Sequence, residues 1–170
     1  LPVVKPADDF ADAYDLKEAP SGSLRSSNRG ATKEKGEPLH DGNPGGHSVW
    51  FRWRATKGGI AAFNTRGSTF DTLLAVYTGQ SVNALKKVES DDDGGAYYTS
   101  SLRFNATGGS QYFIAVDGYG GDTNDFLLHW SLDSTSLKLP EIVRHPDSLT
   151  AVPGSKVEFK VVANNASAYQ

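Results

Sequence analysis

Short runs in which apolar and polar residues alternate dominate the first 133 positions of the chain. In the clearest run, Ser48–Ala55, the apolar residues Val49, Phe51 and Trp53 occupy every second position and so share one face. This is the period of a half-buried β-strand. The further runs with strand character are Ile60–Thr65, Thr72–Thr78, Leu85–Val88, Ser101–Ala106, Gln111–Asp117 and Asp125–Leu132. Turn residues separate these runs, and only Asp8–Leu16 has the pattern of a helical turn or two. The pattern predicts an all-β domain over residues 1–133, with a two-layer antiparallel β-sandwich between residues 8 and 132.

The apolar faces of the runs also predict the core of this sandwich. Side chains at alternate positions of a strand lie on one face of the sheet, and that face is buried against the second sheet. The predicted core residues are Phe51, Trp53, Phe63, Tyr77, Phe104, Tyr112, Ile114, Val116, Phe126, Leu128 and Trp130.

The last thirty residues predict the beginning of a second β-domain. Residues 134–139 form a polar linker, and residues 140–170 contain the extended runs Glu141–Val143 and Val157–Val162, separated by the turn signals Pro146-Asp147 and Pro153-Gly154. These strands have no second layer of their own, so we expect a partner to cover their apolar face. That partner is either further chain of the same polypeptide or a neighbouring subunit, which would give a homo-oligomer or a head-to-tail filament.

Composition excludes several classes of protein. The 170 residues carry a formal net charge of −3 and include 18 glycines, no cysteine and no methionine. A slightly acidic chain has no broad basic surface for nucleic acid, and no run of about 18 apolar residues is long enough to span a membrane. The absence of cysteine excludes disulfides and thiolate-based zinc sites.

The first domain resembles the bacterial pre-peptidase C-terminal (PPC) family over residues 8–132. The matching segments are Asp8–Ala11, Gly30–Glu34, Gly36–Pro38, His40–Gly46, Ser48–Trp50, Gly67–Tyr77, Ser90–Gly95 and Tyr112–Tyr119. The resemblance implies a jelly-roll-like β-sandwich attached to secreted proteases, other hydrolases or adhesins. The collagenase members of that family bind calcium and matrix through an acidic linker, of which this chain matches only Asp8 and Asp9. A collagen specificity is therefore not carried over.

Residues 140–170 resemble the opening of a bacterial immunoglobulin-like (Ig-like) domain. The similar features are Pro140-x-Ile142, Pro146-x-Ser148, the Gly154-Ser155 turn and the alternating strand Val157–Val161, followed by Tyr169-Gln170. The core tryptophan of that family would follow Tyr169-Gln170 and is not in this sequence. The resemblance implies a truncated N-terminal part of an Ig-like sandwich.

Two acidic clusters are candidate calcium sites. Asp91, Asp92 and Asp93 precede Gly94-Gly95, and calcium prefers several oxygen ligands on a loop that glycine allows to turn. The alternative is a solvated turn in which aspartate accepts backbone N–H groups. The second cluster has looser spacing and consists of Glu34, Glu37, Asp41 and Asn43, with Asp8 and Asp9 folded nearby.

Asp71 has two possible roles at the start of a predicted strand. It either caps its own loop through Thr72, which we favour because strand-opening aspartates commonly accept local N–H groups, or completes a site with Asp91–Asp93. Asp117 and Asp122 bracket a glycine-rich loop and are expected to fix that turn.

Trp50, Arg52 and Arg54 form a candidate ligand-binding surface. If the alternate residues of this strand face the core, these three share the outer face, where a tryptophan among arginines could stack on a sugar or anchor a partner. The alternative, which we favour, is that the long segment Ser21–Gly46 covers this face and Trp50 is buried in ordinary packing.

Catalytic motifs find little support in the sequence. No Gly-x-Ser-x-Gly elbow occurs, and His40, His47, His129 and His145 are dispersed, although a zinc site from His40, His47 and Asp41 is conceivable. We expect a non-catalytic module, extracellular or on a bacterial surface, that acts in adhesion, spacing or assembly beside neighbouring domains. The alternative is an accessory domain that directs a secreted protease or other hydrolase to an extracellular polymer.

Overall fold

Strands make up nearly all of the regular structure in the computed structural model, which describes residues 1–166. They are β1 Tyr14–Asp15, β2 Ser21–Ser27, β3 Val49–Arg54, β4 Gly59–Asn64, β5 Thr72–Thr78, β6 Lys86–Asp91, β7 Ser101–Ala106, β8 Gln111–Gly118, β9 Asp125–Asp133, β10 Glu141–Arg144 and β11 Val162–Asn164. The described helical segments are single 3₁₀ turns at Phe10–Asp12, Val82–Ala84 and Tyr119–Gly121. Within residues 1–166, no helix is long and apolar enough to cross a membrane.

Two sheets form the first of two compact units, residues 1–136. One sheet has the strand order β1-β3-β8-β5-β6 and the other has the order β2-β9-β4-β7. All neighbouring strands are antiparallel except the two-residue β1, which pairs parallel to β3. The predicted all-β antiparallel sandwich is therefore confirmed.

The core between the sheets follows the predicted alternation. Phe51 of β3 lies opposite Ile114 of β8, and both are wholly buried against apolar residues of the other sheet, such as Phe126 and Leu128. All the predicted core residues are buried except Trp130, which is half-buried at the edge of this core. The Trp130 indole is oriented by a hydrogen bond from Nε1 to the Ala19 carbonyl at 3.1 Å.

A second buried cluster lies on the outer face of the five-stranded sheet. Trp50, Tyr77 and Phe113 project from β3, β5 and β8 onto this face. Phe10 from the first 3₁₀ turn covers them, with its ring 5.3 Å from that of Trp50 and 4.3 Å from that of Phe113. Tyr77 was predicted as part of the inter-sheet core; it is buried, but it belongs to this second cluster.

Three strands differ from the prediction. The two-residue β1 lies within Asp8–Leu16, which was predicted as a helical turn or two. Strand β2, whose sequence is SGSLRSS, was not predicted, because its one large apolar residue, Leu24, gives no period. Its seven residues nevertheless pair with β9 in continuous register from Ser21↔Ser131 to Ser27↔Asp125. The predicted strand Val157–Val162 is wrong, since the strand after β10 begins only at Val162 and residues 157–161 form no regular structure.

The described residues 137–166 belong to the second unit, in which β10 and β11 pair antiparallel. Large apolar side chains are exposed in this unit, among them Ile142, Val152 and Phe159. That a following chain or another subunit covers them stays a prediction, as does the Ig-like continuation. The Tyr169-Gln170 pair lies outside the described residues.

Candidate metal centre and buried polar network

Three carboxylates from two loops converge at one end of the first unit. Asp71 directly precedes β5, whereas Asp92 and Asp93 directly follow β6. Because β5 and β6 are antiparallel and Leu74 lies opposite Asp91, the start of one strand is next to the end of the other. One carboxylate oxygen from each of Asp71, Asp92 and Asp93 lies within 4.8 Å of the other two. Asp71 therefore lies beside Asp92 and Asp93 of the predicted loop, as the less favoured of its two predicted roles requires.

The electrostatics of this triad are unfavourable for three bare negative charges. The Oδ1 atoms of Asp71 and Asp92 are buried and have no hydrogen-bond partner in the described part of the chain. Burial and repulsion by Asp93, Asp71, Asp41 and Asp91 raise the pKa of Asp92 to about 6. Burial and repulsion by Asp93 and Asp122 also raise the pKa of Asp71, although a side-chain hydrogen bond with Asp92 opposes part of this rise. A bound cation would relieve this repulsion and supply the missing partners.

Asp91, predicted as a calcium ligand, accepts backbone hydrogen bonds that close its turn, and a calcium role for it stays a prediction. Its Oδ2 atom accepts hydrogen bonds from the backbone N–H groups of Gly94, at 2.8 Å, and Ser101, at 2.7 Å. The carboxylate thus closes the turn after β6 and joins it to the start of β7. Only Asp92 and Asp93 of the predicted loop belong to the triad.

Residues of the second predicted acidic cluster have hydrogen-bond partners within the chain, and a calcium site there stays a prediction. Asp8 accepts the backbone N–H of Thr32 at 2.6 Å, Asp9 is exposed before the first 3₁₀ turn, and Glu37 is buried beside His40. Asp41 Oδ1 accepts the Ser90 hydroxyl at 2.8 Å. Because Asp41 also raises the pKa of Asp92, it is electrostatically part of the surroundings of the triad.

The triad predicts a pH dependence of the calcium-free protein. A carboxyl group whose pKa is raised by folding favours the folded state below its unfolded pKa of about 3.9, and this contribution disappears as the pH rises through the folded pKa. For Asp92 that loss falls between about pH 4 and its folded pKa of about 6. We expect Asp92→Asn, in chelator, to flatten the fall in melting temperature across this range relative to the unmodified protein. Identical pH profiles of the two proteins would contradict a strained triad.

A buried hydrogen-bond network, which the sequence did not predict, lies below the outer aromatic cluster. His40 is wholly buried, with Nδ1 2.7 Å from the Tyr77 hydroxyl and Nε2 2.7 Å from Glu37 Oε1. Burial by itself raises the pKa of Glu37, but hydrogen bonds from His40 and Ser48 and the attraction of His40 outweigh burial and lower it. Burial, followed by the nearby carboxylates, raises the pKa of Tyr77.

Asp117 adds a second buried carboxylate near Glu37 and His40. One ligand atom from each of the three residues lies within 4.8 Å of the others. The Asp117 carboxylate, however, already accepts the backbone N–H groups of Gly46, His47 and Gly118 at 2.8–3.2 Å. It fixes a turn, as predicted from the sequence, and we interpret this group of residues as a structural network. The zinc alternative is not assembled, because His47 Nδ1 bonds to the Ala31 carbonyl at 2.6 Å and Asp41 bonds to Ser90.

The predicted ligand surface of Trp50, Arg52 and Arg54 requires correction at Trp50. This side chain has no exposed area, because Phe10 and His40 cover it, and it cannot contact a ligand in this conformation. His40 belongs to the segment Ser21–Gly46, so the packing alternative holds, with additional cover from the N-terminal segment.

Arg52 and Arg54 remain on an open groove of about 260 Å³. Arg52 pairs with Asp15 at 3.3 Å and Arg54 pairs with Glu18 at 3.6 Å. Their charges are therefore compensated within the chain. A ligand role for the two arginines stays a prediction.

Comparison with known proteins leaves the chain without a family. No family model matches it, and no curated protein matches it. Among solved structures, it is similar to Aeromonas hydrophila PliG, a periplasmic inhibitor of g-type lysozyme, at 15% identity and a TM-score of 0.44, over 78% of this chain and 98% of that one. It is also similar to the pre-peptidase C-terminal domain of collagenase from Bacillus anthracis, at 12% identity and a TM-score of 0.44, over 71% of this chain and 94% of that one. These values place the chain in no family.

Proposed function

We propose that residues 1–136 form a non-catalytic extracellular module of a larger secreted or surface protein, and that calcium stabilises one end of it. The observation that carries this proposal is the convergence of Asp71, Asp92 and Asp93 with two buried carboxylate oxygens that lack partners. The module would serve adhesion, spacing or assembly beside its neighbouring domains.

The donor set favours a hard cation such as calcium over zinc or copper. All three groups are carboxylates, and oxygen-only sites suit hard divalent cations, whereas zinc and copper prefer histidine or cysteine nitrogen and sulfur. No lysine or arginine within residues 1–166 forms a salt bridge with the triad. The repulsion is therefore not offset by a cationic side chain of the described chain.

The position of the triad gives calcium a stabilising role. Asp71 also accepts, through its backbone carbonyl, the N–H of Tyr119 from the loop after β8 at 3.0 Å. A cation held by Asp71, Asp92 and Asp93 would thus connect the loop after β6 to the residue that anchors the loop after β8. Three loop ends of the five-stranded sheet would be fixed by one ion.

The small number of carboxylates supports an extracellular setting. Extracellular modules often bind calcium with dissociation constants of about 0.1–1 mM, while tighter sites use more ligands held in a rigid loop. A triad that supplies three of the six to eight oxygens that calcium takes fits the weaker class. Such a site is filled only where free calcium is in the millimolar range.

Calcium is expected to raise the melting temperature of the module. Binding to the folded state alone stabilises it by RT ln(1 + c/Kd), where c is the free calcium concentration, which is about 1.4–2.7 kcal/mol in about 10 mM calcium if the dissociation constant is about 0.1–1 mM. This corresponds to a rise of about 3–10 °C for a domain of this size. The measurement is thermal unfolding in millimolar calcium and in chelator.

Two variants make this test specific. Asp92→Asn should abolish most of the calcium-dependent shift, and in chelator it should unfold at a higher temperature than the unmodified protein at pH 7, because it removes one of three repelling charges. Asp9→Asn, at an exposed acidic residue outside the triad, should keep the full shift. An unchanged midpoint in the unmodified protein, with and without calcium, would refute the calcium proposal.

A further inference from the structure

The loop that follows the triad presents two tyrosines to solvent. We call Gly94–Thr99 the tyrosine loop. Tyr97 is 95% exposed and Tyr98 is 67% exposed, so neither ring contributes its area to the core. Large aromatic side chains are usually buried. Their exposure side by side on one loop indicates a use other than folding.

The backbone of the tyrosine loop is unusual in a way that supports this interpretation. Ala96, Tyr97 and Tyr98 have φ angles of 73°, 53° and 60°. Side chains other than glycine rarely adopt this left-handed region, and each such residue costs about 1 kcal/mol or more. Three in succession persist only because the surrounding structure holds them.

Hydrogen bonds from three directions hold the loop. Thr99 closes it, with its carbonyl accepting the Gly95 N–H at 2.6 Å and its N–H donating to the Ala96 carbonyl at 3.1 Å. Arg66 Nε donates to the Gly95 carbonyl at 3.1 Å, and the Thr72 N–H donates to the Tyr98 carbonyl at 3.0 Å. A loop fixed in this way loses little conformational entropy when a ligand binds.

An open groove of about 500 Å³ runs along the tyrosine loop. Arg66, Gly67 and Ser68 line one side, and the loop from Gly94 to Tyr97, with Thr99, lines the other. Tyr119, which is 49% exposed, belongs to the loop that is bonded to Asp71. The groove itself is lined by the ring of Tyr97, the guanidinium group of Arg66, the side chain of Ser68 and glycine backbone.

We propose that the tyrosine loop and its groove bind a neutral polysaccharide. A tyrosine ring is an amphipathic platform on which the C–H face of a sugar ring stacks, while the guanidinium group of Arg66 can donate hydrogen bonds to sugar hydroxyls. The inference rests on the proposed function, because it gives the extracellular module its ligand.

Charge and side-chain chemistry select this occupant over others. Even with one calcium ion bound, the carboxylates of Asp71, Asp91, Asp92 and Asp93 leave a net negative charge beside the loop, which disfavours an anionic polymer such as nucleic acid. Between residues 40 and 136, the exposed large apolar side chains are Tyr97, Tyr98 and Tyr119, with no aliphatic one among them. A protein partner would meet little aliphatic surface here, whereas stacking on sugar requires aromatic rings alone.

Sedimentation with insoluble cellulose, chitin and xylan, in calcium, tests the inference. We expect the chain to bind at least one of these polymers, and Tyr97→Ala and Tyr98→Ala each to weaken binding by about tenfold, as truncation of an aromatic anchor commonly does. Tyr14→Ala, at an exposed tyrosine of β1, is the matched control and should bind normally. Thermal unfolding of every variant shows whether it remains folded.

The possible outcomes separate this inference from the calcium proposal. If none of the three polymers binds while calcium still raises the melting temperature, the polysaccharide inference is wrong and the calcium proposal stands. Binding that does not change in the Tyr97→Ala/Tyr98→Ala double variant also overturns the inference. Tyrosine-dependent binding of an oligolysine peptide in place of the glycans would assign the loop to a basic protein partner. Tyrosine-dependent glycan binding without a calcium shift would uphold the inference and refute the calcium site.

Discussion

Replacing Trp50 by alanine is expected to lower the free energy of unfolding by about 3–5 kcal/mol, the usual cost of removing a buried tryptophan or phenylalanine. The side chain has no exposed area, and it contacts rings from three other parts of the chain, Phe10, His40 and Tyr77. Its removal would leave a cavity that β3, in the middle of its hydrogen bonds to β8, cannot close by moving. The measurement is chemical denaturation monitored by circular dichroism.

The control for this prediction is Trp50→Phe. The indole Nε1 has no hydrogen-bond partner in the described part of the chain, so phenylalanine removes volume without leaving a partner unsatisfied. Its loss should be clearly smaller than that of alanine. An alanine variant that loses less than about 1 kcal/mol would contradict the burial of Trp50 and restore it as a surface residue.

Glu37 and His40 are expected to show strong coupling in a double-mutant cycle. Both side chains are wholly buried and 2.7 Å apart. Removing one member of such a pair costs about 3–5 kcal/mol, since the other is left buried without its partner. We therefore expect Glu37→Leu and His40→Leu each to be strongly destabilising.

The Glu37→Leu/His40→Leu double variant should lose about 1–3 kcal/mol less than the sum of the two single losses. In the double variant, neither side chain is left buried without the other as its hydrogen-bond partner. Tyr77 would keep a weak bond from its hydroxyl to the Leu39 carbonyl, at 3.4 Å. Additive losses in the cycle, measured by denaturant unfolding, would show that the two side chains are not coupled.

Alternation was sufficient to predict the sandwich where each strand has one polar and one apolar face. Strand β9 is an example, with Phe126 and Leu128 inward between partly exposed neighbours. Strand β2 escaped prediction because its place is fixed by backbone pairing with β9 and not by apolar side chains. Val157–Val161 has the alternation of a strand without forming one in the described structure, which shows that the pattern alone does not create a pairing partner.

Only those residues of the candidate site that are adjacent in the sequence could be predicted to lie together. Asp92 and Asp93 were found from their own loop, whereas Asp71, 21 residues before Asp92, was only the less favoured addition, because it joins them through the pairing of β5 with β6. Asp91 resembles its neighbours in sequence, and its position at the end of β6 gives it backbone partners instead. The Glu37–His40–Tyr77 network depends on how a long irregular segment folds over the sheet, for which no periodic signal exists.

The five-stranded sheet is covered on both faces, by the four-stranded sheet on one side and by the outer aromatic cluster on the other. This limits the substitutions that its strands tolerate. In β8, every residue from Tyr112 to Gly118 is buried, and in β5 every residue from Thr72 to Tyr77 is buried. Neither strand has a side that is free to vary. Strands β7 and β9, with one face toward solvent, alternate between buried and more exposed positions. Related sequences can therefore diverge at every second position of β7 and β9, while β5 and β8 change only when residues on both faces change together.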